Sequence, residues 1–325
     1  EIKLQGLLEK DTVLGNALVD MYARCGVLQK AKESFDQIPT RDVISWTTLM
    51  TGYVQNGLGD ETLECFKQMQ DEGISPNAVT YICVLKACSV IGSLEIGERI
   101  AIKVQKQGLL RNDVVLGNAL VDMYVKCGVP EKARQVLQQL TIQNVVSWNA
   151  LISGYAQEGQ GHEAIKCFEN MQTKGICPNG ITFTCVLKAC SIVGVIDKGK
   201  QIHEDIAKSG LLEGNIMLGN ALVDMYAKCG FLTKAQQVLE ALPNRNVISW
   251  NTLISGYVQH EQGHEALHCF ARMQKEGFSP DEVTFTCSLK ACGSVGAIGK
   301  GTEIHGDIVR SGLMMKNVVL GNAVV

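Results

Sequence analysis

The residues of this chain best able to hold a metal or attack a substrate are its thirteen cysteines and its spaced histidines. Their spacing argues against both uses. Twelve of the cysteines fall into four classes that recur every 102 residues: Cys25, Cys127 and Cys229; Cys65, Cys167 and Cys269; Cys83, Cys185 and Cys287; and Cys88, Cys190 and Cys292. Within a copy the nearest pair is five apart, as in Cys185 and Cys190, which is not the Cys-x-x-Cys spacing of a zinc site. An odd number of cysteines set in apolar helical patterns points to packing in a reducing compartment rather than to a disulfide framework. His264 and His268 lie four apart, with His260 just before them, and would share a helix face. The matching positions in other copies hold His162 with Lys166, and Asp60 with Glu64, so a solvated face is the better account. His203 and His305 read as structural. No nucleophile elbow, phosphate loop or His-x-Glu with Pro-Cys-x-x-Cys deaminase signature occurs, so neither an enzyme nor a cofactor is expected.

The charge balance excludes one further class. A net charge of -3 and a pI near 6.1 lack the basic excess by which a non-specific nucleic-acid binder holds phosphates. Lys86, Lys188 and Lys290 recur with the same period, together with Lys126 and Lys228, and are the cations available to line a groove. No apolar run approaches the length of a membrane span, and no signal or transit segment opens the chain. It starts at Glu1 without a methionine and stops at Val325 inside a recurring motif, and so reads as a fragment.

The elements that carry these residues are repeats. Gly-Asn-Ala returns at Gly15, Gly117, Gly219 and Gly321, and between these marks three segment types of 35, 36 and 31 residues follow one another in fixed order. The expected short repeats are 12–42, 114–144 and 216–246, the standard repeats 43–77, 145–179 and 247–281, and the long repeats 78–113, 180–215 and 282–317. Residues 1–11 would end a preceding long repeat, and 318–325 would begin a truncated short one. Each segment reads as two helices. In 145–179, Leu151, Ile152 and Tyr155 form one apolar stripe, Gly159 and Gly161 interrupt, and Ala164, Phe168 and Met171 form the next. In the short segment Gly128 ends the first helix and Pro130 opens the second. The β-branched starts such as Val145-Val146 are not read as strands, because the helical period runs through them. A single hairpin of this size cannot bury its apolar face, so neighbours must stack. The expected fold is all-α, a right-handed α-solenoid superhelix of helix-turn-helix repeats.

These residues resemble the pentatricopeptide repeat family, specifically the PLS subclass in which three repeat types alternate. Val247 to Asn251, Gly256-Tyr257, Glu265 to Leu267 and Gly277 to Asp281 are similar to its standard repeat. Leu187 to Cys190 with Ile202-His203 resembles the long type, and Gly219 to Tyr226 the short type. The resemblance covers nearly the whole chain. It implies a modular reader of single-stranded RNA that takes one base per repeat.

In that family the second residue of each repeat packs on the base face. Here those positions hold Ile44, Val79, Val115, Val146, Ile181, Met217, Ile248 and Val283, all apolar. The fifth and last residues select the base. Carried over, Asn16 with Asp42 and Asn251 with Asp281 imply U, and Thr47 with Asn77 implies A. Asn118 with Asn144, Asn149 with Asn179, and Asn220 with Asn246 imply C ahead of U. The long repeats depart from the pattern. Ile82 leaves Asp113 without a partner selector, and Thr184 with Asn215 and Thr286 with Asn317 sit in a type that reads poorly. The implied target is U-A-n-Y-Y-n-Y-U-n.

Asn and Asp near helix starts also serve as N-caps, and at end positions such as Asn144 and Asp281 the two roles are compatible. Capping explains Asn118, Asn149 and Asn251 less well, because they lie inside the helix start. The three tryptophans read as core. The resemblance further implies a mitochondrial or chloroplast location, a small accessory editing-factor protein as partner, and C-to-U editing performed by a further domain or a partner. The competing class is a protein-interaction solenoid without RNA readout.

Overall fold

A computed structural model describes residues 11–111 and 113–311. Asn317, most of the expected opening segment 1–11, and the truncated repeat 318–325 lie outside the described residues. The chain divides into two compact units between Glu158 and Gly159. The first holds α1 (Thr12–Arg24), α2 (Leu28–Asp36), α3 (Val43–Gln55), α4 (Gly59–Asp71), α5 (Ala78–Ile91), α6 (Leu94–Lys106), α7 (Val114–Lys126), α8 (Pro130–Gln139) and α9 (Val145–Gln157), with a 3-10 turn at Leu109–Arg111. The second holds α10 (Gly161–Thr173), α11 (Gly180–Val193), α12 (Ile196–Ser209), α13 (Ile216–Lys228), α14 (Leu232–Ala241), α15 (Val247–Gln259), α16 (Gly263–Lys275), α17 (Glu282–Val295) and α18 (Ile298–Ser311). No strand occurs among the described residues, and Val145-Val146 form the first turn of α9.

Local chemistry sets where these helices begin. The first helix of each pair opens after an Asp or Asn whose side chain accepts a hydrogen bond from a first-turn N–H group that has no partner within the helix. In the standard and long types a Ser or Thr three residues on returns the bond, closing a capping box, as Asp42 with Ser45 and Asn77 with Thr80. Pro130 takes the first position of α8, where its missing N–H costs nothing.

Packing is the same in each unit. First helices stack on the next first helix (α1 on α3, α3 on α5, α5 on α7 and α7 on α9; α11 on α13, α13 on α15 and α15 on α17), and within each unit second helices such as α2, α4, α6, α12, α14 and α16 pack against their own and the following first helix. An all-α solenoid arrangement results within each unit. Aromatic pairs recur at the junction of a standard repeat's second helix with the next first helix. Phe66 meets Tyr81 at 6.4 Å between ring centroids, Phe168 meets Phe183 at 6.1 Å, and Phe270 meets Phe285 at 6.3 Å. Close approach also needs glycine: a Cβ on Gly161 would stand 2.7 Å from the Ala189 carbonyl oxygen, so α10 meets α11 backbone to side-chain-free backbone.

The turn between α15 and α16 carries a defect. Its Glu261 is the only non-glycine with positive φ among the described residues, at +58°, where the matching turn between α3 and α4 has Gly57 at +78°. Both donate their N–H to the carbonyl three residues back, Val258 at 3.2 Å and Val54 at 3.1 Å. A left-handed conformation costs an L-residue about 1–2 kcal/mol. Glu261→Gly is therefore expected to stabilise the second unit by about 1 kcal/mol, read as a higher urea midpoint at unchanged slope.

Candidate nucleic-acid interface

The first turn of every first helix presents the same three features. The cap residue lies at its N-terminal edge. The Oδ1 atoms of Asp42, Asn77, Asn144, Asn246 and Asp281 accept the N–H three residues on at 2.8 to 3.0 Å, and those of Asp113, Asn179 and Asn215 do so at 2.9 to 3.1 Å. Each is thus an N-cap, the role weighed against base selection in the sequence, and capping commits Oδ1 in every case. Asn77 and Asn246 then keep an amide Nδ2, a donor, while Asp42 and Asp281 keep a second carboxylate oxygen, an acceptor. Capping removes the group the two residue types share and leaves the group by which they differ.

Next to the cap stands an exposed apolar side chain. Ile44, Val79, Val115, Val146, Ile181, Met217, Ile248 and Val283 are all more than half exposed. Exposure of large apolar groups at one register position in every first helix is what a surface that packs on a flat apolar face requires. Sequence reasoning missed a ninth member. Val13, in the same place on α1, is 77% exposed, and its position directly after Thr12 at the start of the first short repeat was the available signal.

The fifth positions are mostly turned inward. Asn251 is buried on α15 and donates its Nδ2 to Asp281 Oδ1 at 2.9 Å, while its own Oδ1 accepts the Thr284 hydroxyl at 2.5 Å. Both of its hydrogen-bonding atoms are engaged, so Asn251 orients Asp281. Asn220 accepts the Ser249 hydroxyl at 2.6 Å, again linking one first helix to the next. Asn16 and Asn118 are half-buried, and their Oδ1 atoms are buried without a hydrogen-bond partner. Asn149 is buried on α9 and Asn179 caps α11. Threonines behave differently. Thr47, Thr184 and Thr286 each donate the hydroxyl to their own helix, to the carbonyls of Val43, Gly180 and Glu282 at 2.7 to 2.8 Å, and so retain only acceptor capacity. Ile82 is half-buried and offers no polar atom.

In the second unit these features converge on a cavity of about 380 Å³. Ile248, Val283, Asn251 and Asp281 line it, together with Ser255 and the Asp224–Lys228 ion pair. Burial opposes ionisation of Asp281, but hydrogen bonds from the Thr284 N–H, the Asn251 amide, the Thr284 hydroxyl and the Val283 N–H outweigh it and hold the carboxyl below its usual pKa. The cavity therefore offers two apolar walls and a fixed anionic acceptor at neutral pH. It suits a flat ring with an N–H on its edge.

Packing accounts for the tryptophans and most of the cysteines, while His264 and His268 lie on an exposed helix face. Trp46, Trp148 and Trp250 are buried. Burial pushes the thiols of Cys88, Cys190 and Cys269 up to about 12 and that of Cys65 to about 11, so these cysteines are neutral at physiological pH. Cys25 departs from its class by being exposed. His203 Nδ1 lies 3.0 Å from the Tyr226 hydroxyl, with its pKa lowered first by burial and then by Lys234.

Stacked helical pairs with a capped, apolar-edged first turn define a repeat scaffold that presents its side chains one repeat at a time. Residues 41–89, 143–191 and 245–294 match a model described as PPR repeat family, and residues 16–43, 118–144 and 220–247 match one described as PPR repeat. Together they cover more than half of the chain, and the chain belongs to the pentatricopeptide repeat family. Among curated relatives it is similar to three pentatricopeptide repeat-containing proteins of Arabidopsis thaliana. These are At4g38010 (39% identical over 90% of this chain and 51% of the relative), At4g18520, chloroplastic (35%, over 89% and 46%), and At3g09040, mitochondrial (34%, over 97% and 30%). The chain spans about half or less of these relatives' lengths. Such names support organellar localisation. Its fold matches the crystal structure of the pentatricopeptide repeat protein PPR10 in complex with an 18-nt psaJ RNA element, with a TM-score of 0.76 at 19% identity over 98% of this chain and 46% of that one.

Proposed function

We propose that this chain is a sequence-specific reader of single-stranded RNA, one base per repeat, with the repeats bounded at residues 42, 77, 113, 144, 179, 215, 246, 281 and 317. The observation that carries this reading is the cavity lined by Ile248 and Val283 and by the Asn251–Asp281 pair. A base enters between the apolar side chains, and the cap residue meets its Watson–Crick edge with whichever group the helix has left it. An acceptor at Asp42 and Asp281 suits the N3–H of uracil. A donor at Asn77, Asn144, Asn179 and Asn246 suits the ring acceptors of cytosine or adenine, with Thr47 favouring adenine in the first of these. The target is U-A-n-Y-Y-n-Y-U-n, with the long repeats silent. The alternation of three repeat lengths in the sequence supports the PLS subclass. The chain is then the targeting part of a mitochondrial or chloroplast C-to-U editing factor, with deamination supplied by a further domain or a partner, and a small accessory protein bound to the array.

The test is fluorescence anisotropy with an RNA of the target sequence and with the same oligomer carrying purines at the Y positions. Tighter binding to the first, by about tenfold or more and lost when Asn118, Asn149 and Asn220 are together changed to Thr, supports the reading. Equal binding, or none, moves the assignment to a protein-interaction solenoid.

A further inference from the structure

The chain has an overall excess of acid, yet a polyphosphate ligand needs cations where it lies. The first helices hold few charges: three pairs at four-residue spacing (Asp20–Arg24, Asp122–Lys126, Asp224–Lys228), then Glu282, Lys86, Lys188 and Lys290. The three pairs are closed ion pairs at 2.8 to 2.9 Å, so Arg24, Lys126 and Lys228 are neutralised on their own helices. Lys86, Lys188 and Lys290 are different. Each is exposed, and none makes an ion pair among the described residues. Each lies seven residues after the exposed apolar member of its own helix, Val79, Ile181 and Val283. Seven residues are close to two full turns, so lysine and apolar side chain share one face, about 10 Å apart along the axis. These helices belong to the long repeats, in one of which the fifth residue, Ile82, offers no hydrogen bond.

We propose that Lys86, Lys188 and Lys290 are phosphodiester-binding residues, so that each long repeat grips the RNA backbone in place of reading a base. This rests on the RNA-binding reading above. The caps of these three helices, Asn77, Asn179 and Asp281, stand at the other end from the lysine, about two turns away, and only the last helix carries acid there, at Asp281 and Glu282. One unpaired first-helix cation per triplet of repeats also explains how an array of net charge -3 holds RNA: most of its affinity comes from base contacts, with a small fixed electrostatic share.

The experiment measures RNA affinity across a salt series for the wild type, for K86Q, K188Q and K290Q singly and combined, and for the triple Lys→Arg variant. Each phosphate neutralised in a single strand adds about 0.7 to the slope of log affinity against log salt, a factor of about 5 per decade. Each single variant is expected to lower the slope by about 0.7 and the triple by about 2, while the preference for target over purine-substituted RNA stays the same and triple Lys→Arg keeps the wild-type slope. An unchanged slope in a triple Lys→Gln variant that still prefers the target overturns the lysine assignment alone. Wild-type protein that binds no RNA overturns both readings.

Discussion

On the proposed reading, Asp281→Asn is expected to switch the preferred nucleotide at its repeat from U to C, with a swing in relative affinity of about 10- to 100-fold. The size follows from exchanging one hydrogen bond to a charged acceptor, worth about 1.5–3 kcal/mol, for a mismatch that sets like against like. In the native protein Asp281 Oδ1 is committed to the Thr284 N–H and the Asn251 amide, so on the proposed reading the remaining oxygen is the one left to meet a base. An asparagine there keeps the cap, as Asn179 does in the preceding standard repeat, and turns the remaining acceptor into a donor. Helix stability changes little, since Asn and Asp cap about equally well. Paired competition with two RNAs differing only at that nucleotide measures the switch. Because the Asp281 carboxyl is held below its usual pKa, it stays ionised as pH falls from 8 to 5. The proposed preference for U is therefore expected to be flat over that range and to weaken only in more acid solution, as pH falls through the depressed value. A variant that loses affinity for both RNAs equally would show that Asp281 supports the helix without reading the base.

Trp250→Ala is the substitution with the largest expected cost to stability, about 3–5 kcal/mol. The indole is 1% exposed, lies 6.5 Å from the Phe278 ring and has the Arg272 guanidinium 5.6 Å from its centroid. Arg272 is itself bound to Glu240 and Glu276, so the ring closes a junction among α14, α15 and α16. Removing it leaves a cavity and unseats the cation. Since stability in a stacked array is a sum of local and neighbour contributions, the second unit should melt earlier, in a separate transition. Calorimetry detects this. A thermally unchanged variant with lost RNA affinity would instead make Trp250 a base-stacking residue.

Much of this was legible in one sequence because three near-copies of a 102-residue block make any pattern visible three times. The helical period ran through Val145-Val146, and those residues form a helix turn. The tryptophans and the Cys65, Cys167 and Cys269 class read as core and are buried. Less legible was the division of labour at each helix start. Type and spacing mark Asn and Asp as both caps and selectors, but which oxygen does which depends on side-chain geometry. The inward engagement of Asn251 with both Asp281 and Thr284 joins residues 30 and 33 apart on separate helices. No periodicity encodes that.

The sequence alone determined what depends on local chemistry: where helices start and stop, which face of each is apolar, and the order of repeat types, since caps, glycines and the 3.6-residue period act over a few neighbouring positions. The tertiary structure decided what depends on which surfaces remain after stacking. It left Ile248 and Val283 lining a cavity while burying apolar residues of the same composition. It also left Lys86, Lys188 and Lys290 unpaired while closing Lys126 and Lys228 into ion pairs. Identical residue types take different roles because burial and pairing are set by the neighbouring helix, and the neighbour's position is fixed only once the array is packed.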